Sequence, residues 1–311
     1  MPDVKLGLLA WNQQTDWPSL LEVGRRADRL GYDSLWAWDH LYPIVGQPHG
    51  PFYEGWLTLT AWAMATERIK LGLMVGANPY RHPTLVAKMA STLDQISGGR
   101  VYLGIGGAWF EQEAHDFGIE FGSSPGERLR WLAEALPLMR GMLDGTAPSA
   151  RGEHYHAEHV RNDPLPVQRH LPILVGGSGE KVTLRLVARY ADANNVGGGI
   201  EAVRRKEEIL LRHCEEVGRD PAEIERTAGV GVVVVRDSRA EAQRVLERLF
   251  ENNKARLWED QPIGTPEEVA QHLAPYLAIG YRHLIVGHPA PFDEETETRL
   301  AREVRPLLER A

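Results

Sequence analysis

Short apolar runs alternate with longer stretches of helical spacing along the whole chain. "VKLGLLA" reads as a first strand. Asp16 and Pro18 then open a stretch whose Leu20, Val23, Ala27 and Leu30 share one helical face, and Gly31 stops it. "YDSLWAWD" predicts strand two, "GWLTLTAWAMA" a helix and "IKLGLMVGA" strand three. "TLVAKMASTLDQI" is a helix closed by Gly98-Gly99, "RVYLGIGG" is strand four, and "PGERLRWLAEALPLMRGML" is a long helix. Residues 145–171, rich in Pro, His, Asp and Asn, break the rhythm and read as an insertion. It resumes with "PILVGG" as strand five and a helix carrying Leu184, Val187, Ala188 and Ala191 on one face. "ADANNVGG" is strand six, followed by a helix from about Glu201 to Val217. "RTAGVGVVVV" is strand seven, with a helix from Arg239 to about Trp258. "TPEEVAQHLAPYLAIG" is a helix, "RHLIVG" strand eight and "DEETETRLAREVRPLLERA" the last helix.

Repeated strand–helix units predict an α/β fold closed as a (β/α)8 TIM barrel, one domain over residues 1–311 with the insertion before strand five. The alternative is an open doubly wound sheet. Its dinucleotide fingerprint is missing: "GIGGAW" supplies Gly104 and Gly106, but Trp109 stands where the last glycine belongs. In a barrel the reactive residues stand at the C-terminal ends of the strands. Those ends carry Trp11-Asn12, Asp39-His40, "MVGANPYRHP", "GIGGAWFEQE", the turn Gly176-Gly177-Ser178-Gly179, Asn194-Asn195, Gly197 to Gly199 and Gly287-His288. A rim so rich in glycine, aromatic and polar residues suits a flat ring system better than a metal cage.

The glycine turn joins an apolar strand directly to a helix start, where free backbone N–H groups and the helix dipole favour an anion. Two sharper motifs fail there. A P-loop wants Gly-Lys-Ser/Thr, but Glu180 separates Gly179 from Lys181; a nucleophile elbow wants glycine where Glu180 stands. The turn therefore reads as a holder of a ligand, a phosphate above all, rather than as a nucleophile.

Composition narrows the partners. The chain has 311 residues, 43% of them hydrophobic and 25% charged, an ordinary globular balance. Its net charge of −8 and the absence of a basic run argue against nucleic acid. No apolar run is long enough for a membrane helix, and "MPDVKLGLLAW" suits a strand rather than a signal peptide. The single cysteine, Cys214, excludes an internal disulfide and fits a reducing cytoplasm.

For acid–base work the best pair is Asp39-His40: imidazole titrates near neutrality, and a neighbouring carboxylate can hold its tautomer. Adjacent strand residues point to opposite faces, so both reach one site only where the strand has ended. His154, His156 and His159 have a spacing reminiscent of metal ligands, but nothing completes a site, and no metal is expected. His82 precedes Pro83, which begins a helix, and reads as a turn residue. Glu111 and Glu113 follow strand four and are candidate acids for the chemistry, although carboxylates there more often neutralise or cap the next helix.

Taken together, "YDSLWAWDHL", "GANPYRHPTLVAKMASTLDQISGGRVYLGIGGAWFEQEAHDFGI", "PILVGGSGEKVTLRLVARYADANNV" and "GTPEEVAQHLAPYLAIGYRHLIV" resemble the bacterial luciferase-like oxidoreductase family. Within it the chain is most similar to the branch that uses the deazaflavin coenzyme F420. The resemblance covers nearly all of the chain and is weakest in 145–171 and 236–262. It implies a (β/α)8 barrel with the flavin-like ring over the strand ends, and a homodimer. It implies Asp39 and His40 beside the reactive ring face, a non-proline cis peptide at Met74–Val75 supporting the ring, and Gly106, Gly107 and Ala108 bordering the cofactor. It also implies the coenzyme's phosphate on Gly176, Gly177, Ser178 and Gly179. The activity implied is hydride transfer between F420 and a small organic substrate. The alternatives are an FMN-dependent monooxygenase on the same scaffold and a flavin-binding protein without turnover. Sugar-phosphate dehydrogenases of this branch place a catalytic Glu shortly after strand four; here Trp109 holds that place, with Glu111 and Glu113 further on.

Overall fold

The computed structural model describes residues 4–47, 49–177, 179–257 and 260–310. Its centre is a closed parallel barrel of β1 (Lys5–Ala10), β2 (Ser34–Ala37), β3 (Lys70–Leu73), β4 (Val101–Gly106), β5 (Ile173–Gly176), β6 (Ala193–Gly197), β7 (Glu225–Val232) and β8 (His283–His288). Each strand pairs with the next, β3 with β4 included, and β8 closes onto β1 in the register Lys5 to His283 through Ala10 to His288. All eight predicted strands are present, and the open-sheet alternative is excluded by the β8–β1 ladder.

Around the barrel run α1 (Trp17–Leu30), α2 (Gly55–Ala65), α3 (Pro83–Ser97), α4 (Glu111–Asp116), α5 (Pro125–Leu143), α6 (Thr183–Tyr190), α7 (Ile200–Val217), α8 (Arg239–Asn252), α9 (Pro266–Ala278) and α10 (Glu294–Arg299). Their starts follow from capping chemistry. Asp16, Ser124, Ser238 and Thr265 each accept a backbone N–H of the first turn, and Thr265 with Glu268 completes a capping box. Gly31, Gly98 and Gly218 end α1, α3 and α7 in the left-handed conformation.

Three details depart from expectation. The helix predicted from Arg239 to about Trp258 ends at Asn252, and Trp258 lies outside the described residues. The last helix widens into a π turn over Leu300–Val304, next to Pro306, whose nitrogen has no proton for the α ladder. The insertion holds a two-residue hairpin, Ala150–Arg151 against His156–Ala157. There His154 lies flat on Trp131, with ring centroids 3.7 Å apart. Among the described residues no group of three or more metal-ligating side chains converges. Among them, too, no helix is long and apolar enough to cross a membrane.

One large apolar layer lies between barrel and helices, and a smaller one fills the barrel itself with Trp36, Leu174, Ala193 and Ile285 against Leu9, Met74, Val75 and Tyr102. Trp36 fits because its neighbours are glycine: a Cβ on Gly72 would stand 2.4 Å from its ring. The barrel interior is thus a packed core, and the cavity considered next lies above it, at the C-terminal ends of the strands.

Candidate active site

A cavity of about 520 Å³ opens there. Its walls include Trp38, Asp39 and His40 after β2; Met74 to Ala77 after β3; Gly106 to Trp109 after β4; and Gly176, Gly177 and Gly179 after β5. Every site residue predicted from the sequence lines it except Ser178, which lies outside the described residues. β2 ends at Ala37, so Asp39 and His40 are free of strand alternation and both reach the cavity.

Asp39 and His40 nevertheless do different things. Asp39 is 2% exposed and accepts the Ala77 amide at 2.9 Å and both branches of a contact from Arg81, at 2.9 and 3.1 Å. Arg81 in turn reaches Glu54, the cap of α2, at 2.7 Å. Burial alone would lower the guanidinium's pKa, but the two carboxylates outweigh it and hold it above its ordinary value. Asp39 is therefore a charge-neutralised brace between the ends of β2 and β3. The expectation that it orients His40 fails, because its lone pairs are already turned to Ala77 and Arg81.

The carboxylate that holds His40 is Glu113. Its Oε1 bonds to His40 Nδ1 and accepts the Tyr80 hydroxyl; its Oε2 accepts the amides of Leu41 at 2.7 Å and Tyr42 at 3.2 Å. Glu113 is fully buried. Burial pushes its carboxyl up, but the hydrogen bond and charge of His40, the Tyr80 hydroxyl and the Leu41 amide bring it below the usual value. Burial and the same carboxylate push the Tyr80 phenol far up, so it stays a proton donor. With Nδ1 facing a carboxylate, Nε2 is the nitrogen left for the cavity, and among the described residues it has no partner.

The sequence offers Glu113 as a candidate acid, with a helix-terminus role favoured, but does not reveal it as the partner of His40. Glu113 does lie in the first turn of α4, but that helix has six residues, too few for a readable period. A signal existed: Glu113 is the i+3 member of the series Phe110, Ala114 and Phe117, an acid where an apolar residue belongs. His82, expected to serve a turn before Pro83, caps α3, accepting the Thr84 amide at 3.3 Å.

The rest of the wall is backbone. The Met74–Val75 peptide is cis, as the resemblance implied, and the Val75 side chain lies where side chains on two glycines would go. A Cβ on Gly106 or on Gly176 would come within 2.8 or 2.7 Å of it. Ala108 holds φ +60°, a left-handed turn uncommon for alanine, and sets Trp109 over the opening. Trp109 is 60% exposed, stacks on Phe110 at 5.2 Å and meets the His40 ring edge-on at 5.5 Å. At the glycine turn the Gly177 amide points to the Asn195 carbonyl at 3.4 Å, continuing the sheet, and Gly179 remains exposed. The helix begins only at Thr183, one turn later than the predicted direct junction.

The family model for luciferase-like monooxygenases matches residues 6–283. The chain belongs to the luciferase-like monooxygenase family. Among the family's curated members, it is 26% identical over 333 residues to an F420-dependent glucose-6-phosphate dehydrogenase of Microbacterium testaceum (strain StLB037), covering 98% of this chain and 97% of the relative. It is 31% identical over 175 residues to 4-hydroxyprotoasukamycin monooxygenase of Streptomyces nodosus subsp. asukaensis, covering 56% of this chain and 45% of that one. In fold it is similar to an F420-dependent secondary alcohol dehydrogenase solved with an F420-acetone adduct, with a TM-score of 0.84, 19% identity and 99% of each chain covered. For a luciferase-like barrel, then, the cavity stands where the fold places its chemistry.

Proposed function

We propose that this chain is an F420-dependent oxidoreductase moving a hydride between the coenzyme and a small organic substrate, with His40 giving or taking the accompanying proton. One observation carries the reading: an imidazole, clamped through Nδ1 by a buried carboxylate, turns Nε2 into a cavity walled by glycine backbone. Gly106 and Gly176 leave the room that Val75 fills, so Val75 and bare glycine backbone together form one wall of the cavity, a surface suited to a flat ring. Val75, Gly106, Gly107 and Ala108 would lie against the ring, and Gly176, Gly177 and Gly179, with Ser178, toward the phosphate-bearing tail. When bound, the deazaflavin supplies the hydride-carrying carbon. The chain supplies the rest. Glu113 fixes the imidazole, Asp39 braces the two loops on either side, and Nε2 exchanges one proton with the substrate oxygen. The 26% identical relative, spanning almost both chains, is named for F420 and supports that cofactor over FMN. The shorter match to a monooxygenase supports FMN as the alternative.

The test is a titration of the purified protein with F420 and with FMN, followed by absorbance, alongside the His40→Ala variant. F420 should bind, and His40→Ala should leave its Kd within threefold while turnover falls by roughly 10²–10⁴. FMN binding without F420 binding would reverse the cofactor assignment. Retained cofactor without turnover on any substrate would favour a storage protein.

We further propose that the chain works as one unit, as a homodimer, in the cytoplasm. Leu57 and Met64 on α2 are 70% and 75% exposed and Leu85 on the adjacent α3 is 51% exposed, which supports a second copy there. A lone buried cysteine supports a reducing compartment.

A further inference from the structure

The cavity also carries information about what it accepts. Among the described residues that line it there is no Lys and no Arg. Among the described residues of its wall, the ionisable acid–base side chains are Asp39 and His40. The charge of Asp39 is matched by Arg81, which also pairs with Glu54, so that this cation faces two carboxylates, and Arg81 itself is not on the cavity wall. Behind His40 stands the buried Glu113, whose field opposes a second anion near Nε2. At the glycine turn after β5 the Gly177 amide meets the Asn195 carbonyl, and the exposed backbone that remains at Gly179 is where the proposed cofactor tail would lie.

The end of the cavity near His40 is apolar. Ile44, Trp38 and Leu129 line it, and Trp109 covers it with an indole that solvent reaches on one side. Phe52 meets the His40 ring edge-on from another side, at 6.4 Å. Trp109 stacks on Phe110 and meets His40 edge to face, and the 60% of it that stays exposed leaves apolar ring area for a further contact.

We infer that the substrate is an uncharged carbonyl compound, or the matching secondary alcohol, with a ring or branched hydrocarbon body that packs on Trp109, and that it is not a sugar phosphate. This rests on the F420 reading for the redox partner. In the reducing direction the carbonyl carbon gains a hydride from the reduced deazaflavin and the oxygen gains a proton from His40 Nε2. The C=O π pair becomes the new O–H bond, and the products are the alcohol and the oxidised deazaflavin. A dianionic phosphate at the same place would find no cation to offset its desolvation.

Ligand-observed NMR and calorimetry on the full-length protein, with and without oxidised F420, test this with acetophenone, cyclohexanol and glucose 6-phosphate as probes. Acetophenone and cyclohexanol should bind at least tenfold more tightly than glucose 6-phosphate. Trp109→Ala, at an exposed position, should weaken acetophenone about tenfold while leaving the F420 Kd within threefold. Equal or tighter binding of glucose 6-phosphate overturns the inference, as does a Trp109→Ala effect on acetophenone below threefold. Failure of F420 to bind would defeat the cofactor reading alone, since the probe preferences are measured without it as well.

Discussion

At the scale of single residues, the decisive fact is that His40 is served by Glu113 rather than by its neighbour in sequence. Four donors converge on the two oxygens of Glu113: the His40 ring, the Tyr80 hydroxyl and the amides of Leu41 and Tyr42. An amide in place of the carboxylate keeps the volume but presents an NH₂ group to donors, so one side must lose its bonds. Glu113→Gln is therefore expected to lower kcat by about 10²-fold with the F420 Kd changed less than threefold, since the residue acts on the imidazole and not on the cofactor. Glu113→Asp should recover part of the loss. A kcat within threefold of the parent, in a variant whose melting shows it folded, would remove Glu113 from the positioning role. The pair was half legible in the sequence. His40 stood out because imidazole chemistry is named by residue type. Glu113 did not, because its partner is a contact between residues far apart in the chain.

Among elements, the strands could be read and the short pieces could not. Each barrel strand is a brief apolar run bounded by glycine or a polar pair, and each long helix shows a repeating stripe. The six-residue α4 and the hairpin in 145–171 are too short to repeat anything, and they bring Glu113 and His154 to their places. α2 is a different case: its sequence is apolar all round, while one face only is buried, through Trp56, Leu59, Trp62 and Ala63. Leu57 and Met64 are left outside, and α3 adds Leu85 at 51% exposure. An apolar helix face without a cover marks an association surface. If a second copy covers it, light scattering should give about twice the chain's 34.8 kDa. Leu57→Glu with Met64→Glu should return the monomer mass with little change in far-UV dichroism. A monomeric parent at micromolar concentration would sink the dimer.

For the whole molecule, the two ends of the barrel divide the labour. The C-terminal end is open, glycine-walled and aimed at a ligand; the N-terminal end is closed by a polar plug that the sequence did not reveal. Glu225 of β7 accepts from Lys5 of β1 at 2.7 Å and from the Tyr102 hydroxyl of β4 at 2.8 Å, and meets His283 Nδ1 of β8 at 3.2 Å. His283 Nε2 lies 2.6 Å from Ser34 Oγ of β2, which also accepts the Trp36 indole N–H at 2.7 Å. Nδ1 faces the Glu225 carboxylate, which can only accept, so that nitrogen carries a proton. Strands from opposite sides of the barrel are thereby tied through one carboxylate. Burial pushes Glu225 up, but His283 and Lys5 bring it down to about 2. A carboxyl depressed on folding contributes stability that is complete above its unfolded value, near 4.5, and lost as pH falls toward 2. Urea midpoints measured from pH 6 down to pH 2 should therefore fall for the parent across that window. Glu225→Gln should start lower at pH 6, since its partners lose a charge, and fall less steeply below pH 4.5. Their difference isolates this carboxyl from the other acids that titrate in the same range. Two parallel curves would mean that the plug holds the barrel by shape alone, with its charge adding nothing.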